Sequence, residues 1–154
     1  MTGVEVVTAS ELQAPPEAVW ARVASLEGIN HELGPWMRMT APRGAELSSA
    51  TVPLGRRWFR SWILLFGVIP FDYDDLCLER IDPGEGFLER STMLSARRWE
   101  HERTLQPLED GGTRVTDRVA FEPRLPGTAR AHRAVIARIF RHRHRRLGRF
   151  FGER

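Results

Sequence analysis

The final stretch of the chain sets the strongest constraint on its fold. Residues 129–151 run for 23 positions with no proline and one glycine, after a break at Pro123 and Pro126-Gly127. His132, Ile136, Ile139, Phe140, Arg143, Leu147 and Phe150 recur there at helical spacing and make one broad stripe. At 1.5 Å per residue such a helix is roughly 35 Å long, and Thr128 stands where a cap is expected. A helix with one apolar stripe needs an apolar face to lie on.

The preceding residues supply that face. Residues 71–81, 87–94, 98–108 and 113–122 read as four strands. They are separated by turn clusters, Asp82-Pro83-Gly84-Glu85-Gly86 and Asp110-Gly111-Gly112 among them. Earlier, residues 4–12 are rich in Val and Thr and predict a first strand. Pro15-Pro16 then opens a helix over 16–26, because the first amides of a helix have no partner to lose. A second short helix over 27–33 stops at Gly34-Pro35, and Trp36 to Thr40 predicts a strand. Residues 42–55 read as a loop rich in Gly, Ser and Pro. In 56–67, Trp58, Phe59, Trp62, Ile63 and Phe66 keep a helical period. That predicts a helix, with a buried strand as the alternative.

A chain of 154 residues makes one domain, 1–154. Cys77 is the sole cysteine, so no internal disulfide forms and a reducing compartment is expected. The N-terminus has no basic, apolar leader, and the run from Trp62 to Ile69 is too short to span a bilayer. The expected location is cytoplasmic.

The last hairpin says which residues face inward. A three-residue loop Asp110-Gly111-Gly112 sets Glu109 opposite Thr113. Trp99, His101, Arg103 and Leu105 then share a face with Val115, Asp117, Val119 and Phe121, and that face is the more apolar one. Arg103 and Asp117 become diagonal neighbours. Burying charged groups is costly unless they pair. Two roles remain open for them: a structural ion pair fixing strand register, or a polar anchor deep in an apolar pocket. By the same alternation Tyr73 and Asp75 share a face with Phe71 and Cys77, and Arg90 shares one with Leu88, Thr92 and Leu94. His132 lies on the helix stripe, and Trp58 and Trp62 are placed to line or lid a pocket.

The order of elements resembles a known family. Ala14-Pro15-Pro16-Glu17-Ala18-Val19-Trp20 after a strand, Asp110-Gly111-Gly112-Thr113-Arg114-Val115-Thr116 at the last hairpin, and the long terminal helix are similar to the helix-grip superfamily. That superfamily (SRPBCC) holds START-related lipid-transfer domains, polyketide cyclases and birch-pollen-allergen-like proteins. The resemblance covers nearly the whole chain. It implies an α+β helix-grip fold, with a curved antiparallel sheet of six or seven strands around the terminal helix and two short helices after the first strand. It also implies a hydrophobic small-molecule ligand, such as a lipid, polyketide or isoprenoid-like compound, held between sheet and helix. Arg103, His101, Asp117, Trp99, Tyr73, Asp75, Arg90, His132, Trp58 and Trp62 are the candidate ligand-binding residues. If the chain is instead a cyclase or aromatase, as some members are, His101 or Asp117 is the general acid or base and Arg103 holds an enolate oxygen.

Other chemistries lack a signature. Gly84-Glu85-Gly86 has neither the third glycine nor the strand-to-helix setting of a phosphate loop. The five histidines make no metal-ligand spacing, and neither cofactor nor metal is expected. Residues 124–154 carry ten arginines against one acid, while residues 1–123 are net acidic. Arg138, Arg141, Arg145 and Arg149 stripe the outer face of the helix. The bland reading is a solvated face that suits the helix C-terminus. An anionic membrane surface is the second partner considered. Nucleic acid is disfavoured, since no stacking aromatics interleave with these arginines.

Overall fold

The computed structural model describes residues 3–47 and 51–154. In these residues the order is β1 (Val4–Leu12), α1 (Pro16–Val23), α2 (Leu26–Leu33), β2 (Met37–Met39), β3 (Arg57–Leu65), β4 (Ile69–Asp82), β5 (Gly86–Met93), β6 (Ala96–Pro107), β7 (Thr113–Pro123) and α3 (Ala129–Phe151). The seven strands form one antiparallel sheet in the order β1-β7-β6-β5-β4-β3-β2. The sheet curls around α3, which is the helix-grip α+β architecture. Part of the loop expected over 42–55 lies outside the described residues.

Local chemistry accounts for the short helices. Pro16 starts α1, and the Ser25 side chain accepts the Gly28 amide at 3.0 Å to cap α2. Gly28 is required by space, because a Cβ there would meet the Arg22 carbonyl oxygen at 1.8 Å. Thr128 does not cap α3 through its side chain. Its hydroxyl turns back and donates to the Leu125 carbonyl at 2.6 Å.

Two further expectations are corrected. Residues 57–65 form a strand, not a helix, paired with β2 on one side and β4 on the other. Their helical spacing arose because both faces of this strand carry apolar groups, so period two is hidden. The β6–β7 hairpin also closes differently. Its turn spans Leu108–Gly112, with the Leu108 amide donating to the Gly112 carbonyl at 2.9 Å, so Pro107 is opposite Thr113. The shift of two positions keeps every side chain on its expected face. It moves Arg103 from diagonal to directly opposite Asp117.

The core lies between sheet and α3. One cluster joins Val6, Met93, Trp99, Val119 and Phe121 to Ile136 and Phe140. A second packs Leu12, Leu105 and Val115 against α1 (Val19, Val23) and Leu147. A third, with Val52, Leu78, Ile81 and Phe87, lies under β4 and β5. An apolar space remains between these clusters.

Candidate ligand-binding cavity

The space is a cavity of about 270 Å³ between the sheet and α3. Apolar side chains such as Leu33, Ile63, Leu78, Met93, Ile136 and Ile139 make most of its wall. Phe71 and Val135 line it while remaining about half exposed, and so mark its opening between β4 and α3. Its polar groups lie on one side: Asp72, Asp74, Glu89, Ser95, His101 and Arg103, with His132 and Arg143 reaching it from the helix.

Arg103 and Asp117 are the centre of a buried polar network. Arg103 Nε donates to Asp117 Oδ1 at 2.8 Å and Nη2 to Oδ2 at 2.7 Å. The other edge of the guanidinium grips Glu32 of α2, with Nη1 to Oε2 at 3.0 Å and Nη2 to Oε1 at 2.8 Å. Arg143 Nε adds a bond to Glu32 Oε1 at 3.1 Å. His101 Nε2 donates to Asp117 Oδ1 and His144 Nε2 to Oδ2, each at 2.7 Å. Asp117 thus accepts four hydrogen bonds, which fills its oxygens. Ser10 Oγ lies 2.7 Å from His144 Nδ1 and extends the network to β1.

Electrostatics follow this geometry. Burial by itself raises a carboxyl pKa, but the charges of Arg103 and His101 overcome it and hold Asp117 well below the usual range. Glu32 is also lowered, with Arg103 and Arg143 outweighing burial. The two carboxylates in turn raise Arg103 against its own desolvation. Two acids and two arginines balance in charge, which makes the buried assembly tolerable.

His101 faces both the network and the cavity. Its ring is held edge-on by Phe87 at 5.2 Å and Phe140 at 5.0 Å. With Nε2 committed to Asp117, its Nδ1 lies 4.0 Å from Glu89 Oε1. Glu89 Oε2 accepts from Ser91 Oγ at 2.7 Å, and Ser91 Oγ accepts the Cys77 amide at 2.9 Å. Beside it, Asp74 Oδ1 is buried with no hydrogen-bond partner. Burial and then the adjacent Glu89 push Asp74 well above the ordinary carboxylate range. Asp72 is better supplied, accepting from the Tyr73 and Ser95 amides and from Ser95 Oγ. His132 packs tilted against Phe121, ring centroids 4.5 Å apart, and its pKa is lowered, chiefly by burial.

Of the residues singled out in the sequence, Trp99, His101, Arg103 and His132 lie on the cavity wall. Asp117 lies behind it, holding His101 and Arg103 in place. Five others are elsewhere. Tyr73 and Asp75 are on the outer face of β4, where Tyr73 meets Trp62 and Asp75 pairs with Arg60 at 2.8 Å. Trp62 shares that outer face, 42% exposed. Trp58 packs on Phe59 and the Leu78–Phe87 cluster rather than on the cavity. Arg90 points to solvent and pairs with Glu100 at 3.3 Å. For Tyr73, Asp75 and Arg90 the reversal has one cause: the inner faces of β4 and β5 carry Asp72, Asp74 and Glu89, and the outer ones carry Tyr73 and Leu88. The rule that the more apolar face turns inward therefore selects the wrong side.

The polar network and wall residues Glu32, Asp72, Asp74, Glu89, Ser95, Arg143 and His144 were not among the candidates. His144 had a usable signal, since it follows Phe140 by four and lies on the buried stripe.

Residues 10–151 match the family model described as a domain of unknown function, DUF8410. The chain belongs to the DUF8410 family. No curated protein matches this DUF8410 sequence. Solved structures do. Protein CV1439 from Chromobacterium violaceum superposes with a TM-score of 0.70 at 15% identity, covering 97% of this chain and 99% of that one. A START superfamily protein from Mycobacterium smegmatis gives 0.68 at 11% identity, covering 96% of each chain. Ara h 8.0201 gives 0.64 at 12%, covering 95% and 96%. At these identities the likeness is one of fold, and the fold shared with the DUF8410 domain is the helix-grip fold.

Proposed function

We propose that this protein binds a hydrophobic small molecule in the cavity between its sheet and α3. The observation carrying this reading is an apolar cavity of about 270 Å³ that the side chains leave unfilled, with most of its polar groups on β4 to β6. Small-molecule sites have that make-up: apolar walls for burial and a few convergent polar groups for orientation. Native cores are otherwise packed with few voids larger than a water molecule. Arg103 serves here mainly to hold the wall, because Asp117 and Glu32 already occupy four of its five donors.

The test is titration with N-phenyl-1-naphthylamine, a neutral dye whose emission rises in apolar surroundings. One dye per chain is expected. Ile139→Trp, which fills the cavity from α3, is expected to weaken binding by about tenfold or more. No emission change in the wild-type protein, or full binding to the Trp variant, would sink the reading.

A second reading is acid–base catalysis on such a ligand. His101 supports it, since it lines the cavity and is oriented by Asp117. Incubation with a poly-β-keto thioester mimic tests it. Turnover above buffer that is lost in His101→Ala supports catalysis, and turnover equal to buffer excludes it for that substrate.

A further inference from the structure

Asp74 and Glu89 pose a problem that the fold leaves unsolved. Both are buried on neighbouring strands, at 3% and 5% exposure, and both line the cavity. Among the described residues, no arginine lies within ion-pair distance of either, and the charged partner nearest Glu89 is His101 at 4.0 Å. The two cations on this side, Arg103 and Arg143, are bonded to Glu32 and Asp117. Asp74 Oδ1 has no partner at all. A buried acceptor without a donor is costly unless something else supplies one. Both carboxyls line the cavity, from which a bound molecule can supply the donor that Asp74 Oδ1 lacks.

We propose that Asp74 and Glu89 form a subsite for one protonated nitrogen, so that the cavity takes an apolar ligand carrying a single amine. This rests on the cavity-binding reading and names its ligand class. Two carboxyls so close together and so deeply buried do not both ionise readily, and the raised Asp74 is in keeping with that. The pair then carries one negative charge and complements one cation. An ammonium supplies up to three donors, enough for Asp74 Oδ1 and a Glu89 oxygen together. A carboxylate ligand would meet these acids, while Arg103 and Arg143 are already paired with Glu32 and Asp117.

Three ligands with one apolar body separate the possibilities: 1-naphthylmethylamine, 1-naphthylmethanol and 1-naphthoate, titrated by calorimetry at pH 7. The amine is expected to bind about tenfold or more tightly than the alcohol, and the naphthoate more weakly than both. Asp74→Asn and Glu89→Gln keep shape and hydrogen-bonding capacity. Combined in one chain they remove the single shared charge and are expected to erase the preference for the amine, whereas either alone leaves one carboxyl to carry it. The wild-type comparison needs no variant, so a misfolded substitution does not spoil it. Equal binding of amine and alcohol, or an amine preference that survives in the double variant, overturns the inference and leaves the cavity reading standing. Failure of all three to bind, in protein that also fails to take up the neutral dye, overturns both.

Discussion

Arg103 stands directly opposite Asp117 across the β6–β7 ladder, and both oxygens of the carboxylate accept from one guanidinium, at 2.8 and 2.7 Å. The pair is almost wholly inaccessible to water, at 1% exposure for each residue. It ties strand to strand, and through Glu32 and Arg143 it also ties α2 and α3 to the sheet. The network built on this pair therefore links the two walls of the cavity.

Removing one partner leaves the other buried and uncompensated. Asp117→Asn is expected to lower stability by about 3–5 kcal/mol, measured by urea unfolding at pH 7. A loss below about 1 kcal/mol would mean that the network contributes little beyond packing.

The same network predicts an acid limit. Asp117 and Glu32 have depressed pKa values in the folded state, so the unfolded chain takes up protons first as pH falls. Their contribution is complete above the ordinary carboxylate range, near pH 4.5, and is lost progressively below it. Thermal melts between pH 7 and pH 3 check this. The midpoint should fall most steeply below that range, and Glu32→Gln should flatten the slope.

Asp74 predicts the opposite sign. Its pKa is raised, so the folded protein keeps a proton that the unfolded chain has released. Stability then declines as pH rises from the ordinary Asp range, near 4, through the raised value. The other titratable groups of this cavity are Asp72, Glu89, His101 and His132, with Arg103 and Arg143 as its fixed charges. Asp74→Asn should be at least as stable as wild type at pH 8 and show a smaller decline between pH 5 and 8. A variant less stable than wild type at pH 8 would contradict this assignment.

The sequence carried the fold because its signals were redundant. Turn clusters bounded the strands, Pro15-Pro16 marked the first helix, and the stripe from His132 to Leu147 gave the terminal helix its true limits. The inward face of β6 and β7 was legible too, since Trp99, Leu105, Val115, Val119 and Phe121 outnumber the polar groups there. On β4 and β5 the pattern fails for a physical reason. The cavity wall is acidic and the outer face is partly apolar, so alternation points the wrong way for Tyr73, Asp75 and Arg90. Glu32 was hidden because its reason to be buried is Arg103, 71 positions away.

The outer-face assignment is itself testable. Tyr73→Ala and Arg90→Ala should leave dye affinity within about twofold, because neither side chain reaches the cavity. A tenfold loss in either would return that residue to the binding site.

The arginine face remains a proposal for membrane contact. Arg138, Arg141, Arg145 and Arg149 are exposed along α3, and the Phe66–Ile69 turn beyond β3 exposes apolar side chains. Attraction of about 1 kcal/mol per arginine near an anionic surface predicts flotation with phosphatidylserine vesicles at low salt and release at high salt. Equal flotation with neutral vesicles, or none with either, would count against it.

Methyl-resolved NMR during titration with 1-naphthylmethanol goes most directly to the claim that the hollow receives a ligand. The account predicts saturable shifts at Ile63, Met93, Ile136 and Ile139, which line it, and none at the exposed Val7 or Leu125. Saturating ligand that leaves those four side chains unmoved, or that shifts only exposed methyl groups, would contradict it.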